Sequence, residues 1–385
     1  MHDMEMWQHF LEEDVIPQRN AQIRALHHYY VKNKALIAAE FTALFDRFCQ
    51  AVLARQQEGL LQKCAYIHIS LLRTSLNEGH PVYMLEASDR ETDGKVGLTP
   101  FRYEAGWIYG FAEAWDLGCE ERRKRYMNRI ERHSFEVWMK EQLYPFHVYM
   151  VHAARYAMDA IRELASFQEI KKDDSFEVRV GEYRDREVSE SVYCVKERQR
   201  TSITCKGWLE NKLDQDYIYE HIAGVNLMRG QYEGIDVNYT RFEEVTLTGS
   251  SLASSRMLGT RFERCVCDQA DFLDCLLYDA DFRHCDLTYA RFDGVLGNRD
   301  YVAEAHGLVF GMNGVQFQGA DLTYASFRGA KIAADFTGAE LLEVDFTGAD
   351  LTGSRMLERD SLRVELTEEQ RQMICWVKEP LHEHA

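Results

Sequence analysis

Several signatures are missing from this sequence, and their absence narrows the reading first. The ten cysteines never form a Cys-x-x-Cys pair, so neither a zinc ribbon nor a disulfide framework is suggested, and reduced thiols are expected. No apolar run approaches the roughly 18 residues that a membrane span requires. The opening stretch MHDMEMWQHFLEEDV is acidic where a secretory leader needs a basic start and an uninterrupted apolar segment. A soluble, cytoplasmic protein with no membrane partner is the expectation. No phosphate-binding glycine loop, Gly-x-Ser-x-Gly elbow or His-Glu-x-x-His helix occurs. Neither a catalytic residue nor a cofactor is assigned. His147 and His152 are the obvious histidine pair, but five residues on a helix place them about 140° apart around its axis, so they do not share an ion. No metal is expected.

Acidic residues are in excess, 63 against 45 basic, for a formal charge of −18. That balance repels phosphates and favours solubility or a basic partner, so direct nucleic-acid binding is not expected. The densest charge cluster is Glu120-Glu121-Arg122-Arg123-Lys124-Arg125. It reads as a solvated helix face, with a basic patch for an acidic partner as the alternative.

A period of five residues dominates the C-terminal half. From Leu227 a large apolar residue recurs at Tyr232, Val237, Phe242, Leu247, Leu252, Met257, Phe262, Cys267, Phe272, Leu277, Phe282, Leu287 and Phe292. Two positions before these sit compact residues, among them Thr240, Ser250, Ser255, Thr260, Ala270, Ala280 and Ala290. The pattern resumes at Phe317 and continues through Leu322, Phe327, Phe336, Leu341, Phe346 and Leu351, taking in the strings GADLTYASFRGA and TGADLTGS. Five is neither the helical period nor the strand period. A narrow coil seats one bulky side chain per side only if its inward neighbour is small.

These strings closely resemble the A(D/N)Lxx consensus of the pentapeptide-repeat family. The resemblance implies a right-handed, four-sided β-helix with one pentapeptide per side, its central residue and the compact residue two before it both pointing inward. Residues twenty apart then stack, which makes Cys265 and Cys285 vertical neighbours, read as small apolar fillers. Residues 296–312 read as an insertion that keeps the five-residue phase, either a loop leaving one corner or a degenerate coil. Ile332 and Phe336 are four apart, so one corner has lost a residue. Thr367 and Gln370 have capping-box spacing ahead of a short apolar helix containing Met373, Ile374 and Trp376. That helix is expected to cover the open end of the column, with a homodimer contact through Trp376 as the alternative.

The fold class expected is therefore α+β and multidomain. A mainly helical domain spans 1–172, a small β connector 173–221, the repeat column 222–357, and a capping helix with its tail 358–385. In the first domain, Glu5 to Tyr30, Asn33 to Glu58, Cys64 to Leu76 and Tyr103 to Ile170 read as helical, the last block interrupted at Pro145, and Pro81 to Ala87 as a strand. Tyr103, Trp107, Phe111 and Trp115 form one stripe at helical spacing, read as core.

A binding or scaffolding protein is the function these features support, its partner another protein. Residues assigned to partner contact are Arg122, Arg123, Lys124, Arg125, Asp300, Tyr301 and Trp376. Two alternatives stand beside it. The quinolone-resistance members of the family mimic a DNA duplex and bind type II topoisomerases, but this column is short, interrupted and studded with arginines such as Arg241, Arg261, Arg264 and Arg291. The helical domain could instead be an enzyme or ligand module, which requires a pocket where polar groups converge among the aromatics of Tyr103 to Tyr156.

Overall fold

Residues 3–90, 101–127, 129–183, 185–196, 200–214, 216–303 and 306–379 are described by the structure, a computed structural model. Residues 91–97 of the stretch SDRETDGKVG, which follows the strand expected at Pro81 to Ala87 and reads as a turn or loop, and 380–385 of the tail, lie outside them. The chain divides into two units, Met1–Val195 with Ala303–Leu308, and Lys196–Val302 with Val309–Ala385.

The first unit is built on a long helix. Helix α1 (Asp3–Phe10) runs through a π-helical segment at Leu11–Val15 into α2 (Ile16–Gln57). Ile23, Tyr30, Ile37, Phe41, Phe45, Phe48 and Val52 recur at helical spacing and are buried, so one stripe of α2 faces the core. Beside it lies a five-stranded sheet of β1 (Cys64–Leu71), β2 (Val82–Ser88), β3 (Phe101–Glu104), β4 (Lys172–Glu182) and β5 (Asp185–Lys196), ordered β3-β2-β1-β4-β5. Strand β1 pairs antiparallel with β2 and parallel with β4.

Four expectations are corrected here. Cys64–Leu71 is a strand and not a continuing helix, because Ile67, Ile69 and Leu71 alternate with half-buried Tyr66 and His68, a period of two. A short helix, α3 (Arg73–Asn77), follows it. Residues 173–196 are not a free connector, since β4 lies inside the sheet between β1 and β5. Tyr103 belongs to β3, and only Trp107, Phe111 and Trp115 share α4 (Gly106–Arg123). Pro145 does not break a helix but starts one. After α5 (Arg132–Glu141), it occupies the first turn of α6 (Tyr144–Ile161), where a missing N–H costs nothing. A short α7 (Ala165–Glu169) leads into β4.

The second unit opens with α8 (Ser202–Glu210) and then becomes a column of parallel rungs. Bridges join residues twenty apart along four ladders, for example Asn226 to Thr246, Gln231 to Ser251, Asp236 to Arg256, and Arg241 to Arg261. Every repeat centre from Leu227 to Phe292 and from Phe317 to Leu351 is buried. Tyr217 and Ile222 extend the same phase upstream and are buried too, so the column starts before residue 222.

Three local rules explain the repeat. The centre carbonyl accepts the N–H three residues on, closing a turn such as Ser250 to Leu247 at 3.0 Å. Two residues after the centre the backbone takes positive φ, as at Tyr239, Gly249, Gly259 and Tyr289, the geometry of a type II turn. Aspartate just before the centre accepts the N–H two residues on, as Asp321 does from Thr323 at 3.0 Å, which is why Asp recurs in the motif. The compact inward residue also has a polar task. Ser250 donates to Leu227 O at 2.7 Å, Thr260 to Val237 O at 2.8 Å and Cys285 to Phe262 O at 3.1 Å, each satisfying a buried carbonyl one coil below.

Phenylalanine centres form two stacked ladders. One runs Phe242, Phe262, Phe282, Phe317 and Phe336, with centroid separations of 4.9, 4.6, 5.3 and 5.3 Å. The other runs Phe272, Phe292, Phe327 and Phe346 at 4.9, 4.8 and 5.3 Å. The two meet edge to face, as Phe282 does with Phe272 and Phe292.

The insertion is a loop. Leu276 pairs with Leu296, twenty residues on, but Asp281 pairs with Gln316, which follows it by 35, fifteen more than a regular coil. Those fifteen residues leave the column after Gly297, whose missing side chain makes room for Val315 and Ile332. Within them Tyr301–Ala303 pairs with Leu308–Phe310. The return is pinned by Asp279, whose carboxylate accepts the N–H groups of Met312 (3.1 Å), Asn313 (2.6 Å) and Gly314 (3.1 Å). Asp279→Ala is expected to destabilise the column by about 2 kcal/mol and to speed tryptic cleavage at Arg299. An unchanged cleavage rate would remove Asp279 from that role.

One further irregularity is the lost residue. Beyond it Asp321 pairs with Glu340 and Lys331 with Asp350, nineteen apart, while Asp335 pairs with Arg355 at twenty again. At the C-terminal end α9 (Glu368–Met373) carries the capping box of Thr367 and Gln370. Buried Gln370 donates to Phe346 O at 2.7 Å and Ala349 O at 3.0 Å. The helix stops at Met373. Trp376 lies instead on a strand, Cys375–Val377, paired in parallel with Arg355–Leu357 and opposite Met356, because a β-branched and aromatic segment twenty residues on completes another rung.

Candidate functional site

Side chains two residues past each centre stand at the corners of the column and repeat at the same height on successive coils. Tyr289 and Tyr324 occupy equivalent corners and stack at 4.9 Å, yet they are 51% and 46% exposed. Leu342, 52% exposed, adjoins this line on the next coil. Beside the tyrosines runs a ladder of Asp286, Asp321 and Glu340, bridged rung to rung. Carboxylates stacked at a strand spacing of about 4.8 Å repel one another and favour an approaching cation. Exposed tyrosines next to such a row form the kind of rigid anchor on which interfaces centre.

Arginines on the column mostly meet its own carboxylates. Arg241 lies 2.7 Å from Glu243 and 2.9 Å from Glu263, Arg264 2.7 Å from Glu243, Arg291 3.2 Å from Asp271, and Arg328 2.5 Å from Asp345. Burial pushes the Glu243 carboxyl up, but Arg241, His221 and Arg264 together hold it below the usual carboxylate range.

The residues assigned from sequence to partner contact fall in both units, Arg122, Arg123, Lys124 and Arg125 in the first and Asp300, Tyr301 and Trp376 in the second. Arg123 is buried, paired with Glu120 at 2.7 Å and donating to Ile130 O at 2.5 Å, so it holds α4 to the following turn. Arg122 is tied to Asp14 at 3.1 Å, while Lys124 and Arg125 are exposed. Asp300 is an exposed corner residue with positive φ, and half-exposed Tyr301 stacks on Tyr278 at 5.9 Å. The indole of Trp376 is half-buried and donates to Arg371 O at 3.0 Å. The Tyr289–Tyr324 pair went unread in the sequence, although the five-residue frame places both two positions after a centre, Leu287 and Leu322.

The first unit contains a second feature, a cleft of about 740 Å³ between α3, α4, α5 and the start of α6. Its wall includes Tyr109, Met139, Tyr144 and His147, within the segment where a pocket had to appear if the helical unit binds a ligand. Tyr83 reaches both Tyr109 Oη at 3.0 Å and His147 Nδ1 at 2.7 Å. Burial pushes both phenols up and His147 down to about 4, so all three are neutral at pH 7. Among the described residues no group of three or more His, Cys, Asp or Glu is arranged to hold a metal, and no helix is long and apolar enough to cross a membrane.

The family match falls within the column. Residues 260–296 match the family model of pentapeptide repeats, in eight copies, and no family match falls on the N-terminal region. No curated protein matches the chain. Among solved structures, QnrB1, a plasmid-mediated fluoroquinolone resistance protein, is similar at 19% identity and a TM-score of 0.26, over 37% of this chain and 69% of that one. Rfr23, a pentapeptide repeat protein from the cyanobacterium Cyanothece 51142, is similar at 15% identity and a TM-score of 0.15, over 40% of this chain and 97% of that one. HetL, a pentapeptide repeat protein involved in heterocyst differentiation regulation from the cyanobacterium Nostoc, is similar at 16% identity and a TM-score of 0.11, over 37% and 92%. With its five-residue frame, its twenty-residue rungs and this match, the C-terminal column is a pentapeptide-repeat element.

Proposed function

We propose that this protein is a non-catalytic scaffold that holds another protein against its repeat column. In this reading the column is a right-handed, four-sided β-helix, covered at its C-terminal end by α9 and the strand after it. The observation that carries the reading is the stacked, half-exposed Tyr289–Tyr324 pair beside the Asp286, Asp321 and Glu340 ladder. A partner suited to it presents apolar side chains flanked by lysine or arginine. Because the corners are fixed by the coil, binding orders little of the column and its entropic cost is small. The arginine–carboxylate pairs support this reading over duplex mimicry, since a mimic needs an unbroken row of negative charge.

The full-length chain, and the same chain carrying Tyr289→Ala and Tyr324→Ala, serve as baits in native lysate. The wild type is expected to retain a partner in stoichiometric amount, and the double variant to retain about tenfold less. Equal recovery would place the interface elsewhere, and no stoichiometric partner for either bait would end the scaffold reading.

A further inference from the structure

The cleft of the first unit has a built interior that the scaffold reading does not use. His147 is 4% exposed, and its Nδ1 is engaged by Tyr83 while its Nε2, also buried, has no hydrogen-bond partner among the described residues. A phenol is the stronger donor and an imidazole nitrogen the stronger acceptor, so Tyr83 donates to Nδ1 and the proton of neutral His147 sits on Nε2. A buried N–H without a partner, on a residue that lines the cleft, costs free energy until an acceptor reaches it.

Charge around the cleft has one predominant sign. Glu113, Asp116, Glu136, Glu141 and Glu182 line it against Arg73 and Lys140. Arg73 is committed to Glu182 at 2.6 Å, and Glu136 to Arg132 at 2.5 Å. Among the lining groups Glu113, Asp116 and Glu141 are therefore left with Lys140 alone. Burial first, then Glu136, Glu120 and Glu113, push the Asp116 carboxyl above its usual range, against the pull of Arg132. A cation in the cleft would relieve that crowding. Space is provided by Gly106 and Gly110 of α4, where an added Cβ meets nothing within 4 Å.

We propose that this cleft binds a small organic amine that also carries a carbonyl oxygen, its ammonium held by Glu113 and Asp116 and its oxygen accepting from His147 Nε2. No bond is made or broken in this assignment, and it stands independently of the column's partner.

The probes are leucinamide, N-acetylleucinamide, which lacks the charge, and isopentylamine, which lacks the carbonyl, each titrated calorimetrically into the full-length protein. Leucinamide is expected to bind one to one, and each analogue about tenfold or more weakly. Gly110→Leu places a side chain where an added Cβ has open space around it and replaces a poor helix former, so it is expected to keep or raise the thermal midpoint while abolishing binding. Glu113→Gln with Asp116→Asn is expected to weaken leucinamide about tenfold. The proposal is overturned if leucinamide gives no heat at about 1 mM, if either analogue binds as tightly, or if Gly110→Leu or the double variant binds it as the wild type does.

Discussion

Phe282→Ala is expected to destabilise the repeat column by about 4 kcal/mol, measured by denaturant unfolding of the second unit. Phe282 is fully buried and sits in its ladder between Phe262 at 4.6 Å and Phe317 at 5.3 Å. It also presents its ring to Phe272 and Phe292 in edge-to-face contact. Deleting it removes the transfer free energy of the ring, leaves a cavity between rigid coils, and breaks four aromatic contacts together. Coils of a column touch only their neighbours, so the loss falls on the junction between the coil of Phe262 and that of Phe317. The unfolding transition should broaden as the two halves lose coupling. Phe282→Leu, which keeps most of the volume and matches the leucine centres elsewhere in the column, should cost far less. If alanine and leucine cost the same, ring stacking is not what holds the coils together.

The second large effect is on acid stability. His147 protonates at about 4 in the folded chain, chiefly because burial disfavours its charged form, against an ordinary value of 6.5. As pH falls, the unfolded chain therefore takes up this proton first. The stabilisation is complete above about 6.5 and is lost progressively as pH drops towards 4, a change of about 3 kcal/mol for this one side chain. His152 in the same helix is lowered to about 3, again chiefly by burial and then by Arg155, and adds in the same direction. His147→Gln keeps an acceptor for Tyr83 and does not titrate. Comparing thermal midpoints at pH 7.5 and 4.5 isolates the residue, because carboxylate titrations are common to both proteins. The variant should lose less stability between the two values than the wild type, and an equal loss would refute the assignment.

How far the sequence could be read differs sharply between the two units. In the column, each inward position is fixed by local rules that repeat, so Phe242 or Leu322 can be named as a centre from its neighbours alone. Even the insertion keeps that frame. The first unit offers no such repetition. Cys64–Leu71 follows a long helix, and its period of two at Ile67, Ile69 and Leu71 is a short run beside that helical pattern, so its pairing with β2 and β4 settles it as a strand. The cleft is assembled from residues as distant as Leu71 and Glu182, with no spacing to announce it. Arg123 looked like surface charge because its burial depends on Glu120 and on the carbonyl of Ile130, neither of which a charge pattern records. Trp376 was assigned to a helix because local propensity does not reveal that Arg355–Leu357 waits twenty residues earlier as a template.

The variable coil lengths have a consequence for how such a protein can change. Coils of 20, 35 and 19 residues stack in one column, because register is restored at each corner by the turn and not by counting residues around the coil. Length can thus be added or removed at a corner without shifting the alignment of Phe282 over Phe317. The corner after Gly297 is where the column has taken up such length, the fifteen residues from Asn298 to Met312, while the coils on either side remain in frame.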